Sequence, residues 1–160
     1  MGKLSKNAQE VQDLLVSKGY ENEVVELPGS CHTAKEAAKA LGCKVEQIAK
    51  SIVFRLKESD NALMVIASGP NRINERHVGN IIGEKLLKAD AEFVKDRTGY
   101  SIGGVSPVVQ KSGIKILIDE DLLQYSEIWG AAGHPKAVFK MDFDELLELT
   151  DGEVMDIKGQ

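Results

Sequence analysis

The sequence predicts an α+β domain built on a mixed β-sheet. Helical and strand-like patterns are interspersed along the chain, and the apolar runs SIVFRL and ALMVIAS are separated only by the polar KESDN, as in a β-hairpin. A hairpin does not fit a regular parallel βαβ repeat, so a mixed sheet explains the pattern better. The chain has 160 residues, of which 42% are hydrophobic, and this is enough for one domain, which we take as residues 1–160.

The first quarter of the chain predicts two helices and a strand. In KNAQEVQDLL, apolar residues recur at helical spacing after Ser5, and Gly19 ends the pattern. The short run EVVEL predicts a strand. Thr33 then stands three residues before Glu36, which is the capping-box pattern, and AKEAAKAL continues as a helix up to Gly42.

The remaining elements follow from similar patterns. A further helical turn is predicted from Val45, Ile48 and Ala49, just before the hairpin. Beyond the hairpin, NERHVGNIIG, ADAEFVKDR and DFDELLELT have helical spacing and polar starts, whereas IKILID, EIWGAA, AVFKMD and EVMDI predict strands. No internal repeat or linker interrupts this series, which agrees with a single domain.

Composition excludes several classes of function. The chain has 20 basic and 25 acidic residues and a net charge of -5, which argues against tight, sequence-independent binding of DNA or other long nucleic acid but leaves room for a local basic pocket. Cys31 and Cys43 are not in CxxC spacing, and His32, His77 and His134 do not combine into a metal-binding pattern, so we expect no disulfide, metal or cofactor. The N-terminus lacks a signal-peptide core, and no apolar run approaches membrane length. A cytoplasmic protein without a membrane partner is expected.

Two loops and one lysine stand out as candidates for chemistry. The loop GYSIGGVSP carries Gly103 and Gly104, which let a backbone approach a ligand and expose N–H groups, although paired glycines alone are better explained as a tight turn. The loop GAAGHP carries His134 just before its final proline, and this histidine could donate a hydrogen bond or position water, or could simply be solvated. Lys50 stands where an amphipathic turn meets an apolar strand, a place for a cation at a cleft rim or for an ordinary surface lysine.

A serine hydrolase is an alternative that the sequence supports poorly. Ser101, Ser106, His134 and Asp119 supply the residue types of a Ser/His/Asp triad, but no GxSxG elbow organises them. The glycine loop is not a P-loop either, since Val105 and Ser106 follow Gly104 where Lys and Ser/Thr would be needed.

In combination, these segments resemble a known family. HTAKEAAKALG, QIAKSIVF, GYSIGGVSPV and GAAGHP occur in this order through most of the chain, and together they resemble the YbaK family of prolyl-tRNA synthetase-associated editing domains. The resemblance implies an α+β fold with a mixed, partly closed sheet flanked by helices. It also implies an aminoacyl-tRNA deacylase, which hydrolyses the ester between an amino acid and the terminal adenosine of tRNA to maintain translation fidelity.

The family resemblance assigns roles to particular residues. Lys50 corresponds to the family's hallmark lysine, and the backbone at Gly103 and Gly104 surrounds the ester, so these three residues form the catalytic set. His134 falls at the amino-acid end of the pocket, in a loop that matches the family's GxxxHP-like loop. The substrate-binding set that the resemblance implies is Thr33, Ser51, Ser101, Val105, Pro107, Gly133, His134 and Pro135.

The expected substrate is proline tRNA that carries a small noncognate amino acid. Ala131, Ala132 and Gly133 are expected to edge a pocket for alanine, cysteine or 2-aminobutyrate, with either water or the substrate's own group attacking the ester. The resemblance implies the acceptor end of aminoacyl-tRNA as a partner, and prolyl-tRNA synthetase is a second candidate. The alternative is a non-catalytic module that binds the tRNA end or a synthetase.

Overall fold

The computed structural model describes residues 4–29 and 33–159, and in this part of the chain five α-helices surround one mixed β-sheet. Cys31 and His32 lie outside the described residues. Short 3-10 helices occupy Val45–Gln47 and Glu120–Gln124. The helices are α1 (Lys6–Ser17), α2 (Ala34–Leu41), α3 (Glu75–Ile82), α4 (Ala91–Thr98) and α5 (Phe143–Thr150). The strands are β1 (Val24–Glu26), β2 (Ile48–Leu56), β3 (Ala62–Ser68), β4 (Leu86–Lys88), β5 (Lys115–Asp119), β6 (Ile128–Ala131), β7 (Ala137–Met141) and β8 (Glu153–Met155).

The sheet confirms the predicted α+β class. Its strand order is β1-β7-β6-β2-β3-β5-β8, an open path, with β4 paired to β2 outside that path. The predicted hairpin is β2 and β3, which pair antiparallel from Ala49↔Ser68 to Arg55↔Ala62. Parallel pairs β2·β6, β3·β5 and β5·β8 make the sheet mixed.

Strand β2 has an interrupted second edge. On the side away from β3, β2 pairs with β6 at Ile48↔Trp129 and Ala49↔Gly130, and with β4 from Phe54↔Lys88 to Leu56↔Leu86. Residues 50–53 lie between these two partners and have no strand opposite them on this side among the described residues. The sheet therefore contains a gap beside the middle of its central strand.

Local sequence signals explain where the helices begin. Thr33 Oγ1 accepts a hydrogen bond from the Glu36 N–H at 3.1 Å, which caps α2 as predicted, and Gly42 ends α2 in the left-handed conformation at φ 71°. A reciprocal capping box joins Asp142 and Glu145 at the start of α5. These caps satisfy backbone groups that an isolated helix end would leave unpaired.

Two details of the predicted elements are wrong. Ile48 and Ala49 belong to β2 and not to a helical turn, which is confined to the 3-10 helix Val45–Gln47. Their side chains are buried on the two faces of the sheet, Ala49 in the main core and Ile48 beside α2. This tertiary burial outweighs the local helical spacing. Strand β4 has no counterpart in the predicted elements, because three residues are too few to show a period.

Buried side chains form a core on each side of the sheet. The main cluster includes Ala49, Val53, Val94 and Val105 and extends to α1, α4 and α5. A second cluster packs α3 against the other face, and a third places Ala37 and Ala38 of α2 beside Ile48 and Trp129. No helix in the described ranges is long and apolar enough to cross a membrane.

Candidate functional site

A cavity of about 660 Å³ lies against the gap in the sheet beside β2. Residues 48–53 of β2 line it, and because alternate residues of a strand face opposite sides, the cavity is reached from both faces of the sheet. Helix α2 contributes Ala34 and Ala37 on the face of Ile48. Val94 and Val105 line it on the face of Val53, with which they share the main core.

The charged side chains that line the cavity are all basic. They are Lys50 on β2, Lys88 at the end of β4 and Lys136 in the loop after β6, and no Asp or Glu is present among the described residues of the lining. Lys50 is half-buried and forms no ion pair within the described part of the chain. A cleft lined by charges of one sign concentrates ligands of the opposite sign. A protein with a net charge of -5 therefore carries a locally basic cleft.

Two loops meet at one wall of this cavity: the glycine loop, residues 99–107, and the histidine loop, residues 130–135. A Cβ atom at Gly104 would stand 2.8 Å from the Gly133 carbonyl carbon and 2.8 Å from the His134 nitrogen. A Cβ at Gly103 would lie 3.5 Å from Pro135 Cγ, and both Gly103 and Pro135 line the cavity. Glycine at position 104 is thus what allows the two backbones to touch.

The two glycine amides differ in their hydrogen bonding. The Gly104 N–H donates to the Ser101 carbonyl oxygen at 3.0 Å, so it is already used within the loop. The Gly103 N–H makes no main-chain hydrogen bond within the described residues, and Gly103 adopts φ +88°, in the region that favours glycine. Of the two, Gly103 is the one that lines the cavity and whose amide is not used in a main-chain hydrogen bond among the described residues.

Buried hydrogen bonds hold the glycine loop in place. The Tyr100 hydroxyl donates to the Val108 carbonyl oxygen, and the Val108 N–H donates to Ser106 Oγ at 3.1 Å. Tyr100 is buried, and this burial raises the pKa of its hydroxyl. The loop is therefore anchored at both ends around its exposed segment, Ser101 to Gly103.

The His134 ring lies outside the cavity lining. Its Nδ1 accepts a hydrogen bond from the Lys136 N–H at 3.1 Å, and the His134 carbonyl accepts one from the Ala137 N–H at 3.0 Å. In a neutral ring this arrangement places the proton on Nε2. Within this turn, Pro135 and Lys136 line the cavity and His134 does not.

The structure brings some of the residues singled out in the sequence to the cavity and separates others. The cavity is lined by Thr33, Lys50, Ser51, Gly103, Val105 and Pro135. Away from the lining lie Ser101, Gly104, Pro107, Gly133 and His134.

Only one of the three small residues expected to edge the pocket does so. Ala131 lines the cavity, whereas Ala132 is buried in the main core. Gly133 packs on α1, where an added Cβ would stand 2.8 Å from the Asn7 carbonyl oxygen. The size of the pocket is therefore set at Ala131 and by neighbours from other elements.

A Ser/His/Asp triad does not form. Asp119 is fully buried and accepts hydrogen bonds from the Ser68 N–H at 3.0 Å and from Asn71 Nδ2 at 2.7 Å. Its carboxylate holds the end of β3 and not a histidine. No group of His, Cys, Asp and Glu side chains within residues 4–29 and 33–159 is arranged to hold a metal ion.

Sequence reasoning missed Lys88, Lys136 and Trp129 as lining residues. The placement of Lys88 depends on β4, whose pairing with β2 carries no sequence signal. Trp129 is opposite Ile48 in the parallel register of β2 and β6, and Lys140 Nζ lies 6.0 Å from its ring centroid. A lone tryptophan in EIWGAA gave no hint of this position.

Comparisons with known proteins agree on one family. The family model described as aminoacyl-tRNA editing domain matches residues 29–149. A Bacillus subtilis (strain 168) protein, YwhH, described as uncharacterized, is 28% identical over 134 residues, which cover 84% of this chain and 85% of that protein. The proline–tRNA ligase of Limosilactobacillus fermentum is 37% identical over 99 residues, which cover 59% of this chain but only 17% of the ligase.

Solved structures match the fold over nearly the whole chain. The structure of a candidate trans-editing enzyme for prolyl-tRNA synthetase is 43% identical, has a TM-score of 0.91, and covers 98% of this chain and 99% of its own. The structure of the hypothetical protein APE2540 is 27% identical, with a TM-score of 0.81, and covers 92% of this chain and 98% of its own.

Proposed function

The chain belongs to the family of aminoacyl-tRNA editing domains, and from that premise we propose that it acts in trans on proline tRNA that carries a small noncognate amino acid. It is an aminoacyl-tRNA deacylase, an ester hydrolase. The proposed substrate is alanine, cysteine or 2-aminobutyrate on proline tRNA. We take residues 1–160 as one editing domain. Because its substrate is used in translation, the proposal also places the protein in the cytoplasm.

The observation that carries this proposal is the cavity whose wall has three lysines and, among the residues that the structure describes, no carboxylate. The acceptor end of tRNA presents phosphates next to the terminal adenosine, and lysines bind phosphate as point charges. We assign Lys50, Lys88 and Lys136 to this anionic end. Apolar residues from both faces of the sheet, among them Ala131, Val94 and Val105, line the cavity, and such a lining is suited to a small side chain.

Hydrolysis of an aminoacyl ester requires little beyond orientation and charge stabilisation. The attacking water, or a group of the substrate itself, adds to the ester carbonyl carbon, and the carbonyl oxygen becomes negatively charged. The Gly103 N–H at the cavity wall is the proposed donor to that oxygen, and a single donor of this kind contributes about 100-fold to 1000-fold in other enzymes. Lys50 acts electrostatically on the phosphate end in a partly dehydrated cleft.

The acidic net charge fits a protein that binds only the end of its substrate. Three lysines in the lining can neutralise no more than a few phosphates, far fewer than the contacts of a protein that binds long nucleic acid. Prolyl-tRNA synthetase could hold the rest of the tRNA. Its involvement is proposed from the ligase relatives, and in three of these the chain spans 17 to 20% of the length of the ligase.

The test is deacylation of proline tRNA charged separately with alanine, cysteine, 2-aminobutyrate, serine and proline. We expect the wild type to release at least one of the first three and to spare proline, and Lys50→Ala to fall to the rate of spontaneous hydrolysis with its thermal unfolding unchanged. Lys115→Ala is the matched control, because Lys115 is an exposed lysine of β5 outside the cavity. Binding of tRNA without any deacylation would favour a non-catalytic module and contradict the proposal.

A further inference from the structure

The interrupted edge of β2 leaves main-chain groups of Ser51 without a strand partner. The pairing with β6 stops at Ala49↔Gly130, and the pairing with β4 begins only at Phe54↔Lys88. Ser51 lies in the middle of this interval and lines the cavity. An exposed strand edge presents N–H and C=O groups that are ready to bind another molecule.

The direction of these groups follows from hydrogen bonds at the end of β2. The Leu56 N–H donates to the main-chain carbonyl oxygen of Asn61 on the β3 side. The Lys57 N–H donates to the main-chain carbonyl oxygen of Lys85 on the β4 side. Along an antiparallel strand successive residues direct their main-chain groups to opposite edges. Counting back from Lys57 in steps of two, the N–H and C=O of Ser51 point into the gap and not toward β3.

The Ser51 side chain supplies a second unused group. Its Oγ is buried and has no hydrogen-bond partner within the described residues, although most buried hydroxyls in proteins have one. Because Ser51 as a whole is half-buried while its Oγ is covered, the exposed surface of this residue belongs to its other atoms. Rotation about one bond can turn the hydroxyl toward the cavity.

The strand places Ser51 and Lys50 on opposite faces of the sheet. Ser51 shares its face with Ala49 and Val53, which pack in the same core as Val105 of the glycine loop. Lys50 shares its face with Ile48, which packs against α2. Ser51 is therefore on the side of Gly103, where the ester is proposed to lie, and Lys50 is on the side that we assign to the phosphate end.

We propose that Ser51 supplies the second donor to the oxyanion, through its main-chain N–H at the open edge of β2 and through its hydroxyl. This inference rests on the proposed function. It answers a need of the site, because the Gly104 N–H is already bonded to Ser101 and leaves Gly103 as the one free amide of the glycine pair.

The reaction in which Ser51 takes part is a balanced hydrolysis. The water oxygen forms a bond to the ester carbonyl carbon, and the π electron pair moves to the carbonyl oxygen, where the Ser51 and Gly103 donors bind it. When the carbonyl bond re-forms, the bond to the ribose oxygen breaks. A proton from the attacking water ends on that ribose oxygen, which gives the free amino acid and the tRNA hydroxyl.

The first measurement determines kcat and KM separately for proline tRNA that carries alanine. Ser51→Ala is expected to lower kcat by about 100-fold and to leave KM unchanged, because the hydroxyl acts in the transition state. Ser51→Thr, which keeps a hydroxyl, is expected to retain turnover. Ser126→Ala is the matched control, since Ser126 is exposed and lies outside the cavity. An unchanged kcat in Ser51→Ala, or an equal loss in Ser51→Thr, would overturn the role of the hydroxyl.

The second measurement does not depend on turnover. A tetrahedral phosphonate analogue of alanyl-adenosine mimics the oxyanion, and a planar amide analogue mimics the ground state. In the wild type, the Ser51 amide proton resonance is expected to move downfield with the phosphonate and to stay in place with the amide analogue. A resonance that does not move with the phosphonate would overturn the open-edge donor. Absence of deacylation by the wild type would instead refute the proposed function itself.

Discussion

The contact between the glycine loop and the histidine loop can be tested by adding one methyl group. In Gly104→Ala the new Cβ would stand 2.8 Å from backbone atoms of Gly133 and His134, and ordinary contact begins at 3.4 Å. The loops must therefore separate by at least 0.6 Å, which is 3.4 minus 2.8. Because the atoms nearest to the new Cβ belong to the main chain, a change of side-chain rotamer cannot relieve the strain.

Both stability and activity are expected to fall in Gly104→Ala. Overpacking of this kind costs about 1 to 3 kcal/mol, which for a chain of this length lowers Tm by about 2 to 12 °C. Misplacement of catalytic groups by about 1 Å can cost roughly 100-fold in rate. A shift of the two loops by 0.6 Å or more is therefore expected to lower kcat/KM for proline tRNA that carries alanine by about tenfold or more.

A second glycine variant provides the control. Gly113 has φ +85° and no atom within 4 Å of an added Cβ, so Gly113→Ala costs about 1 to 2 kcal/mol of backbone strain far from the cavity. Thermal unfolding and single-turnover deacylation are to be measured for both variants. The reasoning predicts a comparable loss of stability but a loss of activity in Gly104→Ala alone. Full activity in Gly104→Ala would refute the claim that this contact shapes the site.

Three further predictions concern charge, size and acid stability. Lys88→Ala is expected to weaken tRNA binding and to reduce the slope of log K against log salt by about 0.7, the value for one phosphate contact on a single strand, whereas Lys115→Ala leaves the slope unchanged. Ala131→Val narrows the cavity and is expected to lower the deacylation rate of 2-aminobutyrate relative to alanine by about tenfold; an unchanged ratio would remove Ala131 from the pocket. The hydrogen bond from Lys158, followed by that from Asn71, lowers the pKa of Asp121 below its ordinary value of 3.8. The stability from this pair is present above pH 3.8 and is lost as the pH falls through the lower folded-state pKa, so Lys158→Met should show a smaller fall in unfolding free energy on acidification than the wild type.

Local signals were sufficient to predict most of the fold. The cap at Thr33, the left-handed Gly42 and the hairpin of β2 and β3 each depend on residues within a few positions of one another. Such features can therefore be predicted from short stretches of sequence. The exceptions are Ile48 and Ala49, where burial in the sheet decides the structure, and β4, whose three residues carry no period.

The site depends on contacts between distant parts of the chain, and the sequence alone could not supply them. The contact of Gly104 with Gly133 joins two loops that no periodicity connects. The gap beside Ser51 exists because β4 and β6 both pair with β2 and leave residues 50–53 uncovered. Family resemblance marked Lys50 and Gly103, but only the structure shows that they line one cavity and that the His134 ring does not.

The central claim is that the ester is hydrolysed in the cavity beside the open edge of β2. The most direct test is a crystal structure with a nonhydrolysable alanyl-adenosine, in which an amide replaces the ester. We expect the carbonyl oxygen of the ligand to lie within hydrogen-bond distance of the Gly103 and Ser51 N–H groups, and the alanine methyl to contact Ala131. A ligand bound outside this cavity, or one whose carbonyl points away from both amides, would contradict it.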